Sequence, residues 1–436
     1  MNTFYVWTIG CQMNFADSWR LERELGRLGF REAPRAEDAD LVVLNTCVVR
    51  QHAEDKCVGR LTSLKGWKRR AAGRMLVVMG CFVGDEEALL RAYPYVDLFL
   101  KPSDYVSLVH YLCDHDLLPR WDTDALASPL REDGEVPVSM HVPISYGCDH
   151  HCTYCIVRLR RGAERSRPLP EIVGEIRSLV GRGVREVTLL GQNVDSYGHD
   201  LPPPAGRERP PHLADLLHAI HEIDGLYRIR FLTSHPADLR SEVIEAAAAL
   251  PRVCPHFELP VQAGDDEVLR RMGRGYTVAQ YRDLIARIRE QVPGCSIATD
   301  VIVGFPGETE AQYQATFDLL EELRFDAVHV AAYSVRPGTP AARLPDDVPQ
   351  EEKERRRQAI DDLQARIVGE INAQFLGRDV EVLVEREKKG RWEGRTATNK
   401  LVYYPDEDRD WQGRLARVRV TWAGPWSMIG EVVRKA

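Results

Sequence analysis

Short apolar runs alternate with amphipathic stretches of helical length over the first 120 residues. The apolar runs are TFYVWTI, LVVLN, MLVVM and VDLFL, and helix-like segments begin near Asp17, Gln51, Asp85 and Ser103. Strand-like runs that alternate with helices of about 12 residues indicate βαβ units, whose strands are parallel. Residues 1–120 are therefore predicted to form an N-terminal α/β domain with a doubly wound parallel sheet.

The same alternation returns between residues 134 and 364, after a linker-like segment at 119–136. The candidate strands are VPISY, REVTLL, RIRFLT, HFELPV, SIATDVIVG and DAVHVAAYS. Six βα units predict an open, partial TIM-like barrel, (βα)6, in which chemistry gathers at the C-terminal ends of the strands. A flat doubly wound sheet fits the same pattern, so the pattern leaves that alternative open.

A charged helix over residues 346–376 precedes a change of pattern. Apolar and polar residues then alternate in four runs, RDVEVLVERE, GRTATNKLVYY, RLARVRVTWA and MIGEVVRKA. Several short alternating strands within about 60 residues predict a small antiparallel β-barrel. This third domain is placed at residues 367–434.

Composition and charge narrow the class of protein. The chain has 436 residues, 44% of them hydrophobic and 28% charged, which is typical of a globular protein of several domains. No apolar run approaches the ~20 residues of a membrane helix and no signal peptide is recognisable, so we expect a cytoplasmic protein. The net charge of −8 excludes a uniformly basic nucleic-acid binder. However, 13 Lys and Arg against 10 Asp and Glu in residues 376–436 place excess positive charge in the last domain.

Three of the ten cysteines lie within eight residues, in the sequence CDHHCTYC. This spacing places Cys148, Cys152 and Cys155 on one loop after a predicted strand. Iron–sulfur clusters are held by thiolates, and three ligands leave one iron of a four-iron cluster open to another molecule. A zinc site with His150 or His151 as fourth ligand is the alternative, although zinc sites usually combine two CxxC pairs.

Three further cysteines, Cys11, Cys47 and Cys81, each follow the end of a predicted parallel strand. Loops at those strand ends converge in space and are where α/β sheets bind ligands. The three thiols can therefore form a second iron–sulfur site, although cysteine is also a common small buried residue. The remaining cysteines are interpreted as core or incidental residues: Cys57, Cys113, Cys254 and Cys295.

Polar residues also follow the strands of the predicted central barrel, on the rim where TIM-like barrels bind cofactors. The candidate cofactor contacts are Tyr154, Gln192, Asn193, Ser234, Gln262, Thr299 and Asp300.

Two basic regions suit a nucleic acid. Residues 158–167, RLRRGAERSR, hold five arginines beside the cysteine triplet, and the last domain combines basic residues with four of the eight tryptophans. Aromatic and basic side chains on a small barrel bind nucleic acid by stacking and charge. Charge runs are more often solvated faces, however, and we expect at least half of the aromatic residues to fill the barrel core. The candidate RNA contacts are Arg161, Arg165, Arg167, Arg395 and Lys400.

Taken together, these features resemble the methylthiotransferase family of radical S-adenosylmethionine (SAM) enzymes, which end in a TRAM barrel. The matching stretches span nearly the whole chain: TIGCQMNFADS, NTCVVRQHAEDK, GCDHHCTYCIV, RGAERSRP, EVTLLGQNVDSYG, TSHP, LPVQAGDDEVLRRMGRGYT, TDVIVGFPGET, RPGTPAA and GRTATNK. NTCVVR and GCQMN favour the MiaB-type branch. The sequence Arg158-Leu159-Arg160 departs from the family's usual Pro-Tyr-Thr, and VQAGDD departs from VQSGSD.

The resemblance implies two [4Fe–4S] clusters, held by Cys148, Cys152 and Cys155 and by Cys11, Cys47 and Cys81. The first would bind SAM at its open iron, and the second would carry the sulfur. The implied reaction adds a methylthio group to C2 of N6-dimethylallyladenosine at position 37 of tRNA: a SAM-derived radical removes the C2 hydrogen, and a second SAM supplies the methyl group. Relatives that modify threonylcarbamoyl-adenosine in tRNA, or an aspartate of a ribosomal protein, are the alternatives.

The implied partners are the anticodon stem-loop of tRNA, an electron donor such as flavodoxin or ferredoxin, and a sulfur source. We expect a monomer without membrane association. A non-catalytic iron–sulfur protein is a further alternative, but full ligation would call for a fourth cysteine in each set, and neither set has one.

Overall fold

The computed structural model describes residues 1–48, 51–115, 117, 136–407 and 409–433. The chain forms two compact units, Met1–Glu135 with Tyr146–Asp149 and Cys155–Ala163, and Val136–Ser145 with His150–Tyr154 and Glu164–Ala436. The predicted linker at 119–136 lies outside the described residues except for its last position. The proposed domain boundaries therefore stay a prediction. In the described part of the chain, no helix is long and apolar enough to cross a membrane.

The first unit is an α/β domain around one parallel sheet. Its elements are β1 (Thr3–Thr8), α1 (Gln12–Arg27), β2 (Arg31–Glu32), a 3₁₀ turn (Ala36–Asp38), β3 (Leu41–Thr46), α2 (Gln51–Arg69), β4 (Met75–Gly80), α3 (Glu86–Ala92), β5 (Leu98–Leu100) and α4 (Tyr105–Asp114). The strands pair in parallel in the order β2-β1-β3-β4-β5. The apolar runs LVVLN and MLVVM thus become β3 and β4, both buried throughout.

Helices cover both faces of this sheet because successive side chains of a strand point to opposite sides. Val42 of β3 packs in the apolar cluster that contains Leu61 of α2. Val43, the next residue, packs in the cluster that contains Leu21 of α1 and Leu108 of α4. The prediction of a doubly wound parallel sheet is confirmed.

The second unit begins with alternating strands and helices. Its elements up to the last helix, together with the segment 145–161, are β6 (Ser139–Pro143), β7 (Ser145–Tyr146), α5 (Val157–Arg161), β8 (Arg165–Ser166), α6 (Leu169–Gly181), β9 (Glu186–Leu190), α7 (Leu213–His221), β10 (Arg228–Phe231), α8 (Ser241–Ala249), β11 (His256–Glu258), α9 (Asp266–Met272), α10 (Val278–Gln291), β12 (Ser296–Val303), α11 (Glu310–Leu323), β13 (Ala327–Ala332), a 3₁₀ turn (Pro340–Arg343) and α12 (Gln350–Ala373).

Six of these strands, β6, β9, β10, β11, β12 and β13, follow one another in chain order. They form two parallel three-stranded sheets, with the strand orders β6-β9-β10 and β11-β12-β13. A parallel bridge between Ile229 and Val253, and the Ser234 amide that donates to the Glu258 carbonyl at 3.2 Å, join β10 to the β11 segment. The order never reverses, as it would at the switch point of a doubly wound sheet. The prediction of an open (βα)6 barrel is therefore confirmed over the flat alternative.

The chain ends in a closed five-stranded barrel. Its strands are β14 (Asp379–Lys388), β15 (Arg391–Arg395), β16 (Leu401–Tyr404), β17 (Leu415–Ala423) and β18 (Met428–Val432), in the order β14-β15-β16-β18-β17. The small barrel is confirmed, but β16 and β18 pair in parallel, not antiparallel. The reason is geometric: strand direction cannot alternate all the way round a closed ring with an odd number of strands.

Half of the tryptophans of this barrel fill its core, as expected. Trp392 and Trp411 are buried with Tyr404 and the apolar strand residues, whereas Trp422 and Trp426 are 50% and 68% exposed.

Two arginines of β10 hold this barrel against the central one. The Arg230 guanidinium donates to the carbonyls of Thr396 and Ala397 at 2.7 and 2.9 Å, and that of Arg228 donates to the Glu381 carbonyl at 3.3 Å. The loop 396–400 divides GRTATNKLVYY, which the pattern read as one strand, into β15 and β16. Its backbone carbonyls therefore serve the packing of two domains instead of a sheet.

Candidate metal and cofactor sites

The three dispersed cysteines lie at one edge of the N-terminal sheet. Cys47 and Cys81 directly follow β3 and β4, and Cys11 is the N-cap of α1, after β1; these three strands are neighbours. The Cys81 amide donates to the Thr46 carbonyl at 2.9 Å. A β-carbon on Gly10 would lie 2.6 Å from that of Cys47, so only glycine lets the first loop come this close to the second. Burial raises the pKa of the Cys81 thiol, and Cys11 adds to the rise.

A buried asparagine pair fixes the loop that carries Cys11. The Asn14 amide donates at 3.0 Å to both the Asn45 side chain and the Thr46 carbonyl, while its Oδ1 accepts from the Cys11 amide and thiol at 3.3 Å. Asn45 in turn donates to the Asn14 carbonyl at 2.8 Å and to Ser18 Oγ at 2.9 Å. The sequence reasoning missed both asparagines. The signal was present for Asn45, a polar residue inside the apolar run LVVLN, but not for Asn14, which precedes the helix predicted from near Asp17.

Arg161, a predicted RNA contact, lies in the same place. Its side chain is 4% exposed and its Nη1 is 3.6 Å from Asp17 Oδ2. Nη1 donates to Ser103 Oγ at 3.1 Å, and Ser103 donates to Asp17 at 2.9 Å. Because the guanidinium is enclosed in this way, a contact with a phosphate would require it to leave Asp17 and Ser103, and its role in RNA binding stays a prediction.

The loop of the cysteine triplet is braced by backbone contacts. The Cys148 amide donates to the Gly162 carbonyl at 3.2 Å. A β-carbon on Gly147 would lie 2.1 Å from the Ala163 carbonyl, so this close approach requires glycine. Further along the loop, the Thr153 hydroxyl donates to the Arg271 carbonyl at 2.8 Å.

A buried arginine stands beside the middle thiol of the triplet. Arg274 Nη1 lies 3.4 Å from Cys152 Sγ, and its other nitrogens donate to the Pro260 carbonyl and Tyr276 hydroxyl at 3.0 Å. This contact places a fixed positive charge beside one of the three sulfur atoms of the triplet.

His150 of the triplet faces the barrel rim and not its own loop. Its Nε2 is 2.5 Å from Asp238 Oδ2, and its ring stacks on that of His235 with centroids 3.7 Å apart. Burial, with Arg274 and His150 nearby, lowers the pKa of His235 to about 3, so this ring is neutral. The carboxylate already occupies Nε2, which argues against a zinc site formed by His150 and the triplet. His235 and Asp238 are further residues that the sequence reasoning did not single out.

The candidate cofactor contacts fall into two groups. Tyr154, Gln192 and Asp300 are partly exposed. Asn193, Ser234, Gln262 and Thr299 are buried. Of these, Thr299 lies wholly within the barrel wall, where its hydroxyl donates to the Leu259 carbonyl and accepts from the Val261 amide at 2.8 and 2.9 Å. Its hydroxyl thus holds the segment that follows β11, and its role as a cofactor contact stays a prediction.

The backbone is strained at two ends of the barrel strands. Thr233, after β10, has φ 67° and Gln262, after β11, has φ 71°, although neither is glycine. Such left-handed residues cost of order 1–3 kcal/mol and gather at functional sites.

A cavity of about 580 Å³ opens between the loops after β9 and β10, lined by Asp195, Arg209, His212 and Arg240 among others. Burial raises the pKa of Asp195 to about 7.

The other predicted RNA contacts differ in exposure. Arg165 is exposed, and Arg395 is partly exposed with Glu385 3.7 Å away. Arg167 is nearly buried between Glu171 and Glu175, at 2.5 and 2.6 Å. Lys400 is buried and lies 2.6 Å from Asp326. Carboxylates thus pair with Arg167 and Lys400 within the protein, and the role of all four residues in RNA binding stays a prediction.

Two family models match two separate regions of the chain. The family described as "Radical SAM superfamily" matches residues 142–320, and "Uncharacterized protein family UPF0004" matches residues 3–101. Among solved structures, two of TsrM, a radical S-adenosylmethionine methyltransferase from Kitasatospora setae, are similar in fold. They have TM-scores of 0.58 and 0.57 at 14% and 16% identity, over 78% of this chain and 75% and 74% of theirs.

Curated relatives match nearly the whole chain. The tRNA-2-methylthio-N(6)-dimethylallyladenosine synthase of Roseiflexus sp. (strain RS-1) is 52% identical over 99% of this chain and 90% of its own. Those of Herpetosiphon aurantiacus and Dehalococcoides mccartyi (strain CBDB1) are 48% and 47% identical, over 99% of this chain and 98% and 99% of theirs. At this identity and coverage, the chain belongs to the tRNA-2-methylthio-N(6)-dimethylallyladenosine synthase family of radical SAM enzymes.

Proposed function

We propose that this protein is a transferase that adds a methylthio group to C2 of N6-dimethylallyladenosine at position 37 of tRNA. The observation that carries the proposal is the pair of three-cysteine sets, one on the edge of the N-terminal sheet and one on a loop of the radical SAM region. A site with three thiolates leaves one iron of a [4Fe–4S] cluster free for another ligand. The reaction needs two such positions, one for SAM and one for sulfur.

Cys148, Cys152 and Cys155 would hold the cluster that binds SAM. The reductive cleavage of SAM supplies a radical strong enough to take the C2 hydrogen of adenine, which no side-chain acid or base can remove. Arg274 places a positive charge beside Cys152, and the contact of His150 with Asp238 and His235 holds the loop to the rim. Tyr154, Gln192 and Asp300 are the partly exposed candidates for contacts with SAM.

Cys11, Cys47 and Cys81 would hold the second cluster, which carries the sulfur to be transferred. Two features of the chain fit such a cluster. Three thiols lie at the ends of neighbouring strands, and the hydrogen bonds between Asn14 and Asn45 fix the loop that carries Cys11. Cys57 lies in electrostatic range of Cys47, but it belongs to α2 and does not follow the end of a strand, and burial raises its pKa to about 12. It is not a ligand in this proposal.

Exposed basic and aromatic residues support the recognition of tRNA. We propose that this recognition takes place in the cytoplasm. Arg165 and Arg395 remain accessible, and Trp422 and Trp426 offer flat apolar surfaces on the C-terminal barrel. Base stacking on an aromatic side chain contributes about 1–3 kcal/mol per base and tolerates any sequence. The target adenosine would have to leave its stack to reach the radical.

The test is nucleoside mass spectrometry of bulk tRNA from a host that lacks its own enzyme of this kind. We expect methylthiolated dimethylallyl-adenosine only when this chain is expressed. Cys148→Ala and Cys11→Ala should each abolish it. Cys254→Ala is the matched control and should retain it, because burial raises the pKa of this core thiol to about 11.

A different product would overturn the substrate assignment. If cluster-loaded protein leaves the prenylated adenosine unchanged, the same samples should be searched for methylthiolated threonylcarbamoyl-adenosine. The modified ribosomal-protein aspartate is the next product to seek. Absence of all three would contradict the activity itself.

A further inference from the structure

Arg161 stands out because it is a buried charge that the proposed chemistry has not used. It comes from α5, the helix that follows the cysteine triplet, yet its guanidinium lies among residues of the N-terminal sheet domain. The guanidinium contacts Asp17 of α1 and Ser103 of the loop after β5. Ser103 has a left-handed backbone, with φ 64°. Enclosing an arginine is costly unless its N–H groups and its charge are both satisfied.

The contacts within the described part of the protein leave two polar atoms of this ion pair without a hydrogen bond. Its distance to Asp17 is 3.6 Å, longer than the 2.7–2.9 Å of a good charged hydrogen bond. Among the described residues, neither Arg161 Nη2 nor Asp17 Oδ1 has a hydrogen-bond partner. Orphaned buried polar atoms of this kind are rare in folded proteins and call for an explanation, such as a ligand or ion.

The helix that carries Arg161 brings it to one of the strand-end thiols. Ile156, directly before this helix, packs with Cys81 in one apolar cluster. The guanidinium itself lies within hydrogen-bonding range of the Cys81 side chain. An ion pair that only stabilised the fold would not need to lie beside this thiol.

We propose that Arg161 is a positioning residue for the cluster at Cys11, Cys47 and Cys81. It places a fixed positive charge and an N–H donor beside the Cys81 ligand of that cluster, and Asp17 and Ser103 hold it there. The inference rests on the proposed function only for the presence of the cluster. A cationic donor beside a cluster stabilises its more negatively charged, reduced form, because each added electron is attracted to the charge.

The test measures the reduction potential of this cluster by itself. Full-length protein with Cys148→Ala, Cys152→Ala and Cys155→Ala would hold the strand-end cluster alone, and EPR-monitored redox titration would give its midpoint potential. In this background we expect Arg161→Gln to make the potential more negative. Arg161→Lys, which keeps the charge, should stay closer to the parent. Arg158→Gln, an exposed position one turn earlier on the same helix, should leave it unchanged.

An Arg161→Gln protein that takes up its full iron complement with the parent's potential would overturn the proposal. If Arg161→Gln fails to fold or to load iron, Arg161→Lys decides: a potential near the parent's supports the role of the charge, and a large negative shift refutes it. The readout requires no tRNA. A wrong substrate assignment would therefore appear only in the nucleoside analysis, and a wrong role for Arg161 only in the potential.

Discussion

At the scale of single residues, the strand-end site depends on polar groups buried behind the thiols. Asn45 donates two hydrogen bonds and accepts one, all within the sheet domain. Its partners Asn14 and Ser18 are themselves buried, so water cannot replace a bond that is lost. The cysteines bind the metal in the proposed function, while these side chains set where the first cysteine stands.

Replacement of Asn45 should therefore damage both stability and metal binding. We expect Asn45→Ala to lower the free energy of unfolding by about 2–4 kcal/mol, since each buried partner left unsatisfied costs about 1–3 kcal/mol. Iron content should fall with it, because Asn14 then loses its hold on the loop of Cys11. Urea unfolding and iron analysis measure the two effects. Asn2→Ala, at an exposed position, is the control, and equal behaviour of the two variants would refute the role assigned to Asn45.

At the scale of elements, the contact between the central and C-terminal barrels changes the pKa of His256, at the start of β11. Burial, with the charges of Arg230, Lys400 and Arg395, lowers the pKa of His256 to about 3. Its Nδ1 is 2.7 Å from Ser296 Oγ. The folded protein thus holds a neutral imidazole among cations that the loop 396–400 and β10 bring together.

Acid should therefore weaken the folded state through this histidine. Its pKa is about 6.5 in the unfolded chain and lower in the fold, so its contribution is complete above pH 6.5 and is lost as the pH falls toward 3. One such group changes stability by about 1.4 kcal/mol per pH unit in that window. His256→Gln should flatten the decline in melting temperature between pH 6.5 and 4. A decline as steep as in the parent would show that other groups cause it.

The elements also show where local pattern reaches its limit. The run HFELPV predicts a strand at 256–261, but β11 ends at Glu258 because the chain turns to reach the left-handed Gln262. GRTATNKLVYY is divided because its middle residues serve Arg230 of another domain. The six βα units and the doubly wound sheet were predictable because their apolar periods are local. Both exceptions arise from contacts between residues distant in sequence.

At the scale of the whole molecule, the cysteine sets were predictable and the arginines were not. Strand ends follow from the pattern, and parallel strands bring their C-terminal ends to one edge, so Cys11, Cys47 and Cys81 could be grouped in advance. The run RLRRGAERSR reads as one basic surface. In the fold, Arg161 is buried beside Asp17, Arg165 is exposed and Arg167 lies between two glutamates. Which arginine forms an ion pair with an aspartate or glutamate depends on tertiary contacts, and the pattern of charges along the sequence does not show these contacts.

Because Arg165 is exposed and Arg167 is held by glutamates, we expect substitutions of these two arginines to have different effects on tRNA binding and on stability. Arg165→Gln should weaken tRNA binding and reduce the slope of log affinity against log salt by about 1, because a lost phosphate contact releases one counterion fewer. Arg167→Gln should leave the slope unchanged and lower stability instead, since it removes the partner of Glu171 and Glu175. Filter binding over a range of salt concentrations, with thermal unfolding of both variants, separates the two. A reduced slope for Arg167→Gln and a parental slope for Arg165→Gln would mean that RNA binding rearranges this segment and exposes the guanidinium now held by the glutamates.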